Sequence, residues 1–92
     1  MPIVSAVFTL SDTTATKIVQ PSTMPHHVTL HNMTKSSHQY VHIGDPGVTD
    51  ANSIHIDPGE TLNLTLGPGD ELYAVSDPGG LVVGVLDVRK NT

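Results

Sequence analysis

Six histidines (His26, His27, His31, His38, His42 and His55) carry the most versatile chemistry in this chain. Residues four apart on an extended segment share a face. His27 and His31 therefore lie on one face of one segment, and His38 and His42 on one face of the next. Paired as a hairpin, these segments would bring the imidazoles together, as a metal site on a β scaffold requires. The spacing speaks against a metal, because neither H-x-H nor H-E-x-x-H occurs and ligands must converge. The histidines are expected instead on the face opposite Val28, Leu30, Val41 and Ile43, facing solvent or an interface. In a symmetric oligomer that face would meet its copies, and assembly would respond to pH near the imidazole pKa of ~6.5.

The carboxylates point less far. Asp45, Asp57 and Asp77 each precede Pro-Gly, where turn chemistry already calls for an acceptor. Asp70-Glu71 opens a strand. Asp50-Ala51-Asn52 is the one weak calcium candidate, and no D-x-D-x-D-G loop accompanies it. No serine lies in G-x-S-x-G or S-x-x-K. Ser37 and His38 are adjacent, so on a strand they point apart. Gly79-Gly80 lacks the context of a phosphate loop and reads as a hairpin turn. No catalytic, metal or cofactor residue is assigned, and no enzymatic activity or cofactor is expected.

The elements that must position these residues are short strands. Residues 4–10 place Val4, Ala6, Phe8 and Leu10 on one face, and 14–20 are rich in β-branched side chains. Segments 27–33 and 38–43, joined by a polar turn, form the expected hairpin. A polar connection leads to a strand at 54–56. Residues 60–66 alternate most clearly, with Leu62, Leu64 and Leu66 opposite Thr61, Asn63 and Thr65. Strands at 71–76 and 81–88 follow, the last so apolar that it is expected to be the most buried. Pro-Gly occurs four times, the last three at ten-residue spacing, which suits type II turns in a meander. The expected fold is all-β, a small antiparallel β-sandwich or jelly-roll-like barrel of seven or eight strands. Residues 1–12 form an N-terminal segment, either a partner-binding arm or a first strand, and 13–92 the sandwich domain.

Composition narrows the partners. The chain has 92 residues, no cysteine, a net charge of −5 and four basic residues. Disulfides and thiolate chemistry are excluded. Nucleic acid is not expected without clustered lysine and arginine, nor is a membrane partner. Three aromatics are too few for a stacking platform. The N-terminus lacks the pattern of a signal peptide, so synthesis in the cytoplasm is expected.

One stretch carries a resemblance. Val28-Thr29-Leu30-His31-Asn32 is followed by Tyr40-Val41-His42-Ile43-Gly44, then Val48-Thr49. Gly59-Glu60-Thr61-Leu62, Gly69-Asp70-Glu71-Leu72-Tyr73-Ala74-Val75-Ser76 and a Val-rich strand over 82–88 complete the pattern. In this respect the chain resembles small head-decoration (capsid cement) and related β-sandwich proteins of tailed-bacteriophage virions. The resemblance implies a capsid-surface protein bound to the major capsid protein, in homotrimers, stabilising the lattice by many weak contacts. The alternative is a tail- or fibre-associated module binding a host surface or carbohydrate. The residues expected to meet a partner are Pro2, Ile3, Val4, His27, His31, His38 and His42.

Overall fold

The computed structural model describes residues 3–49 and 53–89. Among them are eight strands: β1 (Ile3–Thr9), β2 (Thr16–Val19), β3 (His26–Asn32), β4 (Tyr40–Gly44), β5 (Ile54–Ile56), β6 (Thr61–Leu66), β7 (Leu72–Asp77) and β8 (Val82–Arg89). They form two antiparallel four-stranded sheets, ordered β1-β8-β3-β6 and β2-β7-β4-β5. Among sheet neighbours only β4 and β5 are consecutive in the chain. Every other connection crosses between the layers, and this interleaved order is that of a jelly roll. The expected all-β sandwich is what the chain forms.

Alternation along the strands builds the core. Val28, Leu30, Val83 and Val85 from the first sheet meet Ile18, Val41, Ile43, Ile56 and Ala74 from the second. Leu62, Leu64 and Leu66 pack against this cluster while Thr61, Asn63 and Thr65 stay exposed, as their pattern predicts.

Three expectations are corrected. Segments 27–33 and 38–43 are not a hairpin: β3 and β4 lie in different sheets. The turn signals do mark chain reversals, but a local reversal does not say which strand pairs with which. The Pro-Gly punctuation is likewise no meander. Its last three turns carry the chain from one sheet to the other, which a ten-residue period serves equally well. Strand β8 is interior to its sheet, yet only its inward row is buried and Leu86 is exposed.

The turns themselves divide. Asp57–Glu60 and Gly67–Asp70 close with i+3 backbone bonds and hold Gly59 and Gly69 at positive φ, as type II requires. Asp45–Val48 also closes, but Gly47 keeps an ordinary φ and donates its N–H to Asp45 Oδ1 at 2.9 Å. In the fourth, positive φ falls on Gly80 and not on Gly79. Gly80 donates to Leu10 O, and Leu10 N–H donates to Leu81 O. That is a bulge with a left-handed glycine at its first position, and Gly59-Glu60 repeats it opposite Asn32.

Candidate functional site

The outer face of the first sheet is a grid whose columns are strands. Its registered rows are Ile3–Val88–His27–Thr65, Ser5–Leu86–Thr29–Asn63 and Val7–Gly84–His31–Thr61. The β3/β6 half is polar and internally bonded. His27 Nδ1 lies 2.9 Å from Thr65 Oγ1, Thr29 donates to Asn63 Oδ1 at 2.8 Å, and His31 Nδ1 lies 3.1 Å from Thr61 Oγ1. These directly opposed pairs stiffen the sheet and hold both imidazole rings against it. The β1/β8 half is apolar: Ile3 is 64% and Val7 63% exposed, with Leu86 and Met33 beside them. Gly84 leaves a gap in this half, and a shallow groove of 380 Å³ lies there, lined by Ser5, Val7, His31, Met33, Gly84 and Leu86. A Cβ on Gly84 would meet Met33 Sδ at 3.3 Å. A glycine within an apolar strand is a sequence signal of such an approach.

The second sheet treats its outer face differently. Tyr40, His42 and Gly44 form the outward row of β4, against Asp77, Val75 and Tyr73 of β7. His42 and Val75 are nonetheless only 6% and 2% exposed. Described residues of the connection after β4 return to this row. Val48 fills the place that a side chain on Gly44 would take, and Ser53 Oγ lies 3.0 Å from His42 Nδ1. His55 lies opposite His42 on β5, its ring edge-on to both Tyr40 and His42, and its Nε2 is 3.2 Å from Asp57 Oδ1. On the β2 side, Lys17 pairs with Glu71 at 3.1 Å over the Tyr73 ring. The hydrogen bond to Glu71 and that carboxylate's charge raise the Lys17 ammonium above its ordinary 10.5.

Among the polar side chains inside the sandwich, Asn32 and the pair His26 and Asp87 are the most elaborately bonded. Asn32 is fully buried and spends its whole amide: Nδ2 donates to Gln39 O and Ile56 O, each at 2.9 Å, and Oδ1 accepts from Thr34 N–H and Oγ1. It thereby ties the end of β3 to the following turn and to β5 in the other sheet. His26 is also fully buried, with Nδ1 2.8 Å from Asp87 Oδ1, while Arg89 Nε donates to Asp87 Oδ2 at 3.4 Å. An ionised carboxylate only accepts, so Nδ1 carries the proton. His26 Nε2 is buried without a hydrogen-bond partner. Sequence reading missed both groups. The signals were an aspartate on the inward parity of an otherwise apolar strand and an asparagine ending one.

The expected partner-facing residues do not form one cluster. Ile3 and Val4 are exposed on the edge strand β1, whereas Pro2 lies outside the described residues, as does Asp50-Ala51-Asn52. His27 and His31 share the open face of the first sheet. His38 lies in the exposed turn before β4, at φ 64°, and not on a strand. His42 is on the second sheet and buried, contrary to the solvent-facing position expected for it, because a loop covers that face. Among the described residues no three histidine or carboxylate groups converge as metal ligands would.

Comparison with known proteins adds to the fold. No protein-family profile and no curated protein matches the chain. A solved structure does, described as "Bacillus endospore appendages form a novel family of disulfide-linked pili", with a TM-score of 0.58 at 14% identity. The match covers 98% of this chain and 87% of the other. At that identity the likeness is one of fold.

Proposed function

We propose that the chain is a non-catalytic structural subunit of a multi-copy assembly, a decoration protein bound to the major capsid protein on the head of a tailed-phage virion. The apolar half-face of the first sheet is the observation that carries this reading. It sets Ile3, Val7, Leu86 and Met33 in the open beside a polar half whose side chains bond one another. A contiguous apolar patch with a polar border is the form of a protein-binding surface. The motifs between His27 and Val88 supply the virion part of the proposal. Docking repeated over a lattice makes a small patch sufficient.

The test uses the purified protein and particles lacking it. Leu86→Lys combined with Met33→Lys should leave the fold intact and abolish binding to the heads. Undiminished binding by that variant would remove the patch from the interface, and particles imaged with the protein only at the tail would favour the host-binding module.

The likeness to a pilus subunit favours a second structural reading, a filament. Cysteine is absent here, so disulfide linkage is not open to this chain. Filaments of the purified protein in negative stain would favour that reading over the capsid.

A further inference from the structure

A sandwich of two open sheets has four edge strands, and here they are unequally protected. Strand β5 has three residues. Strand β2 has four, among them Lys17. Strand β6 has six, with Glu60 just before it and Asp70 in the turn that follows. Short length and flanking charge are the usual means of blunting an edge. Strand β1 is the longest of the four: Ile3–Thr9 runs seven residues with no charge, proline or glycine, and Asp12 is the charge that follows it.

The hydrogen-bond pattern says which groups β1 leaves open. At the bulge, both backbone groups of Leu10 bond the β8 side. Successive residues of an antiparallel strand turn their N–H and C=O alternately to opposite sides. Phe8, Ala6 and Val4 therefore bond β8, while Ile3, Ser5, Val7 and Thr9 direct theirs to the free edge. The side chains of the same four residues stand on the open outer face.

We infer that the free edge of β1 pairs antiparallel with β1 of a second copy of this chain, about a two-fold axis near Ala6, joining two four-stranded sheets into one of eight. Charge does not bar the copy: each chain carries −5, but pairing β1 with β1 brings no carboxylate of either strand to the seam. Side-chain chemistry agrees. Pairing β1 with β6 would set Ile3, Ser5 and Val7 beside Thr61, Asn63 and Thr65, which already bond β3. Pairing β1 with β1 joins the two apolar half-faces into one band. One strand pair buries well under the ~1,200 Å² of a stable complex, so the free protein associates reversibly and a lattice strengthens the contact. The inference does not depend on which particle carries the chain.

Amide hydrogen exchange on the isolated protein, followed from dilute to millimolar solution, tests it. Ser5, Val7 and Thr9 should exchange quickly when dilute and slow at least tenfold on concentration, while Ala6 and Phe8 stay protected throughout. Sedimentation should show a shift towards the mass of two copies. Ser5→Pro deletes an N–H that bonds nothing within the chain, so it should keep the dilute unfolding temperature and abolish the shift. Exchange at Ser5 and Val7 that is independent of concentration overturns the inference. So does concentration-dependent protection at Thr61, Asn63 and Thr65, or a mass of three copies, since either means pairing of β1 with β6. The exchange measurement on the unaltered chain decides the matter even if Ser5→Pro fails to fold.

Discussion

The outer faces of the two sheets start from similar material and end differently. Each carries valines and histidines on outward rows. On the first sheet Val7 is 63% exposed, whereas on the second Val75 is 2% exposed. Strand parity is not the cause, since both valines point away from the core. On the second sheet Val48 stands where a side chain on Gly44 would, and Ser53 lies against His42, the residue opposite Val75. Nothing among the described residues covers the first sheet in that way. An outward row is thus a surface only where the chain does not return over it.

The comparison breaks most completely if the sheets are uncoupled. Asn32→Ala leaves Gln39 C=O and Ile56 C=O without their donor and Thr34 N–H without its acceptor. It should cost about 3 kcal/mol, read by denaturant unfolding. A cost near zero would mean that water replaces the amide and that the tie between sheets is dispensable.

The valine pair sharpens the contrast directly. Val75→Ala should cost about 2 kcal/mol, the range for emptying a packed site. Val7→Ala, measured on dilute protein, should cost about 0.5 kcal/mol or less, as at other open positions. Equal costs would show that the second face is not sealed. Val48→Ala, which thins the cover, should cost about 1 kcal/mol and speed exchange of the His42 and Val75 amides. Unchanged exchange would relieve the loop of that role.

The smallest effect is alkaline. Lys17 is raised in the folded state, so its contribution is whole below pH 10.5 and fades as pH climbs through the raised value. Glu71→Gln should flatten that part of the stability–pH curve. The pair reaches solvent, so added salt should flatten it too. A slope unmoved by either change would assign it to another group.

Fold class was legible because the two-residue period is local: Leu62, Leu64 and Leu66 announce their strand without knowing their neighbours. The open face was legible in part, through Ile3, His27 and His31, while Gly84 and Leu86 went unread inside an apolar run. The parity rule fails for His38, which sits in a turn at positive φ, and for His42, whose outward face is met by Ser53 of the connection that follows β4.

Taken alone, the order of residues settled where the strands and reversals fall and which side chains share a face, since steric preference and periodicity act within a few residues. It could not settle which strands lie together or that His26 meets Asp87 61 positions away. Those outcomes depend on contacts between segments remote in the chain, and only closure of the two sheets brings such segments within reach.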